Sequence, residues 1–191
     1  HYGPEQFGVP NFQKSCAEIC LELMQWRRMG HALDLGCAVG RASFELARGG
    51  FQQVTGLDFS TRFFRLAARM QEEGGLRYAF PEEGEIVSFH EVTLAEFGLE
   101  QTRQRVQFYQ ADACNLPEKF RGYDLVLAAN LIDRLYSPRR FLSTIHQRMN
   151  RGALLVLASP YSWSEDFTRK EEWLGGYRDA GEPVWGIDGL K

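Results

Sequence analysis

Apolar residues return along this chain in two alternating rhythms. After a loop carrying Gly3, Pro4, Gly8 and Pro10, they fall at Cys16, Ile19, Cys20, Leu23 and Met24. Spacings of three and four put them on one face of an amphipathic helix, with Gly30 placed to end it. A short apolar run over residues 31–35 predicts a strand closing on Asp34, Gly36 and Gly40, followed by a helix over 39–48 carrying Phe44, Leu46 and Ala47. Residues 53–57 predict a second strand ending at Asp58, after which Ser60 caps a helix with Phe63, Phe64, Leu66, Ala67 and Met70. Residues 106–111 form a third strand ending at Asp112. Residues 123–129 form a fourth, nearly all apolar, as a parallel strand covered on both faces requires. Ser137-Pro138 caps and opens a helix with Phe141, Leu142, Ile145 and Met149 on one side, and residues 153–158 complete a fifth strand. Strands alternating with helices at this spacing predict an α/β domain, a doubly wound, mainly parallel sheet joined by right-handed crossovers.

One stretch breaks the alternation. Residues 74–105 are too long for a plain connection. Within them, 77–80 and 86–92 predict a hairpin around 81–85, with a short helix near 94–97. We expect an insertion over the open end of the sheet; a surface excursion is the alternative. No repeat or linker divides the chain, so residues 1–191 are expected to form a single domain with an N-terminal flap and helix over 1–30.

Composition narrows the function. Lys and Arg number 22 against 25 Asp and Glu, for a net charge of -3, which argues against a partner held by its phosphates. The longest apolar runs fall far short of the ~20 residues a membrane helix needs, and no secretory signal pattern is present. Cys16, Cys20, Cys37 and Cys114 form no Cys-x-x-Cys pair, which points to a reduced, cytoplasmic protein and away from disulfides or structural zinc. The chain opens on His1 and stops at Lys191 in a Gly-rich stretch, and we expect it to be part of something longer.

The candidate chemistry lies at the strand ends. In open parallel sheets ligands bind in the crevice outside the carboxyl ends of the strands. There the chain places Asp34 with Gly36 and Gly40, Asp58 with Phe59, Asp112 with Ala113, then Asn130, then Ser159-Pro160-Tyr161. Three acids at three successive tips are hard to explain as core residues. Gly36 and Gly40 let the backbone turn sharply and approach a ligand, and the helix that follows offers its amides to a carboxylate. For an adenosyl amino acid, Asp34 would meet the ammonium group, directly or through water. Asp58 would accept both ribose hydroxyls, Phe59 would pack on adenine, and Asp112 would accept the adenine amino group. The competing dinucleotide site needs Gly-x-Gly-x-x-Gly. Here the glycines are spaced Gly-x-x-x-Gly, and an acid two positions earlier would face a pyrophosphate with like charge.

The pattern Asp34-Leu35-Gly36-Cys37-Ala38-Val39-Gly40 resembles the first motif of class I S-adenosylmethionine-dependent methyltransferases, with Ala38 where a middle glycine is common. The resemblance implies a Rossmann-like fold whose usual C-terminal strand pair is absent or lies beyond Lys191. It implies S-adenosylmethionine as cofactor, S-adenosylhomocysteine as product, and no metal. A narrower resemblance covers nearly the whole chain. The run from Tyr2-Gly3 through Phe7-Gly8-Val9-Pro10-Asn11-Phe12 is similar to the methyltransferase part of ovothiol synthases. So are Asp112-Ala113-Cys114-Asn115-Leu116, Ala128-Ala129-Asn130-Leu131-Ile132-Asp133-Arg134-Leu135, Ser159-Pro160-Tyr161 and Glu172-Trp173-Leu174-Gly175-Gly176. It implies methylation of the side-chain-proximal imidazole nitrogen of 5-thiohistidine, beside an iron-dependent sulfoxide synthase that this chain does not contain. It also implies that Tyr2 belongs to a flap closing over the cofactor.

That substrate sets a selectivity problem. Its sulfur, as thiolate, is the better intrinsic nucleophile, so the pocket must hold nitrogen toward the methyl group at roughly 3–3.5 Å. The expected substrate contacts are Asn130, Asp133, Arg134, Tyr161 and Trp163. Asn130 would bond the ring or the amino acid backbone, Arg134 the carboxylate, and Asp133 the ammonium. Because Asp133 and Arg134 are adjacent, at least one is expected to be a surface charge, with Arg134 inward. Tyr161 and Trp163 alternate with Ser162, as residues lining a pocket or packing above the sheet would. His1, His31, His90 and His146 lack metal-ligand spacing. Residues 165–172 predict a solvated helix face. The alternatives are methyl transfer to another small metabolite, or a non-catalytic scaffold of this fold.

Overall fold

A computed structural model of the chain describes Tyr2 and residues 10–190. The expected loop at Gly3, Pro4 and Gly8, and the closing action of a flap there, lie outside the described residues. Helix α1 (Phe12–Leu23) begins on Asn11, whose side chain accepts the Lys14 N–H. It buries Cys16, Ala17, Cys20 and Met24 but leaves Ile19 and Leu23 about half exposed, so the buried face is narrower than the sequence pattern. The helix stops at Leu23, well before Gly30. Gly30 instead leads into the sheet, where its N–H and that of His31 both donate to Asp124 Oδ2 at 3.0 and 3.1 Å.

Then follow β1 (His31–Leu35), α2 (Arg41–Arg48), β2 (Gln53–Asp58) and α3 (Thr61–Glu73), the last capped by Ser60 as expected. The inserted hairpin is β3 (Gly75–Glu83) and β4 (Ile86–Thr93). The main sheet resumes with β5 (Val106–Gln110) and β6 (Tyr123–Ala129), then α4 (Pro138–Thr144) and β7 (Met149–Ala158). A short pair, β8 (Tyr177–Asp179) and β9 (Glu182–Val184), stands apart from that sheet and answers no sequence signal we used.

The five-stranded sheet has the order β5-β2-β1-β6-β7, and every pairing in it is parallel. Its pleat separates two cores. Ala32, Val54, Leu125 and Leu127 join Cys20, Phe44 and Met70 on the face covered by α1, α2 and α3. Leu33, Leu35, Val126 and Ala128 join Phe141 and Ile145 on the other. The sheet is doubly wound, and the chain changes direction between β1 and β6.

Further expectations fail here. Met149, expected on the apolar side of the helix after Pro138, instead opens β7, because α4 ends at Thr144. The hairpin does not lie over the open end of the sheet. Helix α3 runs back to the amino ends of the strands, and the hairpin is rooted where it stops. Residues 77–87 are all exposed, and no residue of β3 or β4 lines the crevice at the strand tips. Ser137 does not cap α4; its hydroxyl donates to Glu172 Oε2 at 2.9 Å. Residues 165–172 are not a helix but a loop with a single 3-10 turn at Lys170–Glu172, because no apolar residue recurs at a helical interval to hold one face. Among the described residues, no helix is long and apolar enough to cross a membrane, and no group of three acids, histidines or cysteines is placed to hold a metal.

Candidate active site

A crevice of about 680 Å³ opens at the carboxyl ends of β1, β2, β5 and β6. On the β1 side, Leu35 runs into Gly36 (φ 72°), Ala38 (φ 50°) and Gly40 (φ 83°). Gly40 is required by its backbone and by packing, since a β-carbon there would run into the Phe108 ring. Gly36 and Ala38 line the crevice; Gly40 lies behind them as the N-cap of α2. The start of α2 is turned inward too. Arg41 is buried against Glu45 at 2.8 Å and under the rings of Tyr2 and Phe97, so that helix end offers the crevice no lining residue.

The three acids have separate fates. Asp58 lies in the crevice wall, its Oδ2 accepting the Ala38 N–H at 2.9 Å and its Oδ1 the Ser60 N–H at 2.8 Å. Each oxygen keeps a further lone pair for a ligand. Asp112 also lines the crevice. Its Oδ1 accepts the Cys114 N–H at 2.8 Å, and its Oδ2 accepts the Tyr136 hydroxyl at 3.1 Å. Asp34 does not line it. Only 2 % exposed, Asp34 accepts the Ser43 hydroxyl at 2.6 Å, and burial raises its pKa to about 6. Asp34 therefore stands beneath the crevice rather than in its lining, which leaves only the water-mediated form of the expected contact with a ligand's ammonium. Asp34 is paired with β2 and β6 on both sides and roofed by α2, so it acts as a floor beneath the turn.

Tyr2 is likewise behind the crevice. Its hydroxyl donates to the Val39 carbonyl at 3.1 Å and its ring packs on Phe97, pinning the back of the glycine turn. Cys37 and Cys114 are buried thiols whose pKa burial pushes up.

Phe59, Ala113 and Asn130 line the crevice as expected. Phe59 is 75 % exposed, which leaves a ring face open to the crevice. Asn130 sits at φ 52° on the tip of β6, its N–H donating to the Ala158 carbonyl at 2.7 Å. Arg134 also lines the crevice, as expected.

The other substrate residues are corrected. Asp133 is fully buried, not at the surface. It accepts the Ser159 hydroxyl at 3.1 Å, both the N–H and hydroxyl of Ser162, and Arg134 Nη1 at 3.0 Å. It braces the loop after β7 and, with no exposed surface, presents no oxygen to the crevice. Tyr161 packs its ring over Gly186, and Trp163 packs on Gly176 and stacks with Trp173 at 6.3 Å. Neither lines the crevice. His90 and Glu91 stand on the exposed hairpin, away from it.

Sequence reasoning missed Gln13, Phe63, Tyr136, Asp166 and Phe167, all of which face the crevice. Phe63 belonged to an apolar helix pattern, yet it is 41 % exposed; with Phe59, Tyr136 and Phe167 it makes an aromatic rim. Asp166 and Phe167 sit in irregular loop, where no period marks which way a side chain points. Acceptors on one wall and flat apolar rings around them suit a ligand with hydroxyl or amino donors and planar groups.

A family model described as methyltransferase domain matches residues 33–157. No curated protein matches the chain. Among solved structures, the [4+2]-cyclase SpnF shares 22% identity over 75% of this chain and 43% of its own, with a TM-score of 0.55. The N-terminal domain of EvdMO1 with SAH bound shares 17% over 81% of this chain and 52% of its own, TM-score 0.56. The glycopeptide N-methyltransferase MtfA complexed with sinefungin shares 16% over 78% and 54%, TM-score 0.55. The chain spans about half the length of these proteins.

Proposed function

The chain belongs to the methyltransferase-domain family, and from that premise we propose that it transfers a methyl group from S-adenosylmethionine to the side-chain-proximal imidazole nitrogen of 5-thiohistidine. One observation carries the cofactor half of this reading: Gly36, Asp58, Phe59 and Asp112 face a single crevice at the strand tips. Two of the similar solved structures hold SAH or sinefungin. The residues present fit that group. Asp58 has free lone pairs for ribose hydroxyls, the exposed ring of Phe59 supplies a face for adenine, and Asp112 and Ala113 supply an edge. At Gly36 a β-carbon would meet Leu131 at 3.3 Å, so the glycine keeps the floor of the turn open.

When bound, S-adenosylmethionine would supply a sulfonium methyl group whose carbon accepts the acceptor's lone pair while the S–CH3 bonding pair returns to sulfur, which would leave as S-adenosylhomocysteine. The chain's own residues orient and desolvate. The rim of Phe59, Phe63, Tyr136 and Phe167 excludes water and presents flat surfaces to a ring. Asn130, fixed at its strand tip by the bond to Ala158, presents an amide to the acceptor. No oxyanion builds up, so position rather than charge stabilisation sets the rate. An unmodified imidazole, with an ordinary pKa of ~6.5, is largely neutral at neutral pH and offers its lone pair without a base; the proton left on the methylated ring passes to solvent.

The choice of 5-thiohistidine rests on the resemblance of the segments at 112–116, 128–135, 159–161 and 172–176 to ovothiol synthases. That substrate is made by forming a C–S bond on histidine, so we place this domain in covalent or non-covalent association with an iron-dependent sulfoxide synthase. The test is to incubate labelled S-adenosylmethionine with 5-thiohistidine, histidine and ergothioneine and to locate the methyl group by NMR. The expected product carries it on the ring nitrogen of 5-thiohistidine alone. Methyl on sulfur, or transfer to none of the three, overturns the reading.

A further inference from the structure

The crevice wall built after β6 and β7 contains an arginine with three of its five donors already committed. Arg134 closes the 3-10 turn Ile132–Arg134. Its Nη1 donates to the Ser162 carbonyl at 2.7 Å and to the carbonyl and Oδ2 of Asp133 at 3.0 Å, and its Nη2 to the Ser162 hydroxyl at 2.8 Å. The Phe167 ring lies 4.8 Å from Cζ. Guanidinium carries five N–H donors in one plane. Nε–H has no partner among the described residues, and Nη2 keeps its second hydrogen. These two hydrogens share one edge of the plane, the edge that takes both oxygens of a carboxylate. Buried Asp133, held by two serines, fixes the guanidinium in place before any ligand arrives, so little side-chain freedom remains to be lost on binding.

Charge then selects among carboxylates. Asp133 and Arg134 neutralise each other, while Asp58, Asp112 and Asp166 leave the crevice acidic. A simple carboxylate would add to that negative charge; a zwitterion would not. Asp166 directly precedes Phe167, lines the same crevice, and uses only Oδ2, on the Ser164 hydroxyl at 3.2 Å. Its Oδ1 has no partner among the described residues. Asp133, which the sequence suggested for an ammonium, is consumed as a brace. The acid that faces the same crevice, next in the chain to the Phe167 ring that lies against Arg134, is Asp166.

We propose that Arg134 and Asp166 form a two-point clamp for the carboxylate and ammonium of a free α-amino acid, so that the enzyme rejects acceptors blocked at either end. The clamp rests on the methyl-transfer reading above but not on 5-thiohistidine as the acceptor. To test it, the enzyme is given labelled S-adenosylmethionine and a pool of free α-amino acids that includes 5-thiohistidine and histidine. The same pool is then offered as carboxamides and as N-acetyl derivatives. Label is expected in a free amino acid, with each blocked form used about tenfold less efficiently or worse, the loss of one charge-assisted contact. Label in a free amino acid other than 5-thiohistidine sinks that substrate and keeps the clamp; equal use of the blocked forms, or label in none of the free acids, sinks the clamp.

The variants give a crossed pattern that a structural role would not produce. R134Q should bring the free acid and its carboxamide to within about twofold of each other while the N-acetyl form stays poor. R134K should not restore the preference, because ammonium lacks the planar fork. D166N should do the reverse, equalising the free and N-acetyl forms only. Asp166 is exposed, so D166N tests the clamp even if R134Q does not fold. Unchanged ratios in D166N overturn it.

Discussion

Asp34 shows how one residue's surroundings can outweigh its motif. Its carboxyl is pushed from the ordinary 3.8 to about 6, first by burial, with the Ser43 bond opposing and the Asp58 charge adding. The native state therefore holds a proton that the unfolded chain releases, and between those values stability must fall as pH rises. A shift of this size corresponds to on the order of 3 kcal/mol. In Asp34→Asn the amide oxygen still accepts from Ser43 and nothing titrates. Urea unfolding of both proteins at pH 4, 5, 6 and 7 should show their stability difference moving in favour of the variant as pH rises, and levelling above about 7. A constant difference would mean that Asp34 is solvated rather than enclosed. The position of this acid was legible in the sequence; its depth was not. Asp34 stands one residue inside the end of β1 and pairs with Gly56 and Leu127, whereas Asp58 is the last residue of β2 and is free to face outward. A single step along a strand separates a floor from a wall. The same limit applied to Asp133 and Arg134. Helical spacing allowed only one to turn inward, but a 3-10 turn let Arg134 face the crevice while Asp133 tied down a segment 26 to 29 residues later. Nothing in local sequence announces that partner.

Among the elements, the inner parallel strands were legible because both faces are buried, which leaves a nearly continuous apolar run at 123–129 and a short run at 31–35, and the half-buried edge strand still shows a short apolar run at 153–158. The crevice rim was not legible, because its residues come from turns and loops where side-chain direction follows tertiary contacts. The hairpin lies between these cases: its alternation and turn were readable, but its place was not. That place follows from α3, which returns the chain to the amino ends of the strands before the insertion begins. Two strands alone are marginally stable in water, and Tyr78, Phe80, Ile86 and Phe89 remain exposed on β3 and β4. Only the root packs, through Leu76 and Val92. Replacing residues 77–91 with a two-residue Asn-Gly turn between those anchors should therefore preserve the fold. Affinity for S-adenosylhomocysteine by calorimetry should stay within about twofold, a change of ~0.4 kcal/mol. A loss of tenfold or more would place the hairpin back over the site.

At the scale of the molecule, the order β5-β2-β1-β6-β7 sends the first crossovers one way from β1 and the later one the other, and the crevice opens where they part. Loops from four strands share that gap, so a ligand filling it ties together elements on both faces of the sheet. Such binding must stabilise the native state. At a concentration of one hundred times Kd it adds about 2.7 kcal/mol, and for a chain of this size each kcal/mol moves Tm by roughly 2–4 °C. S-adenosylhomocysteine should therefore raise Tm by about 5–10 °C under those conditions. NAD should not, because the acid-bearing wall that would accept ribose hydroxyls has no counterpart for a pyrophosphate. The crevice carries Asp58, Asp112 and Asp166 with Arg134 already paired to Asp133, so two phosphates would meet like charge. Hydrogen exchange should slow on binding at 36–40, 58–60, 111–115 and 130–136, and stay unchanged at 77–91. Stabilisation by NAD, or protection centred on the hairpin, would move the binding site away from the strand tips and remove the basis for methyl transfer there.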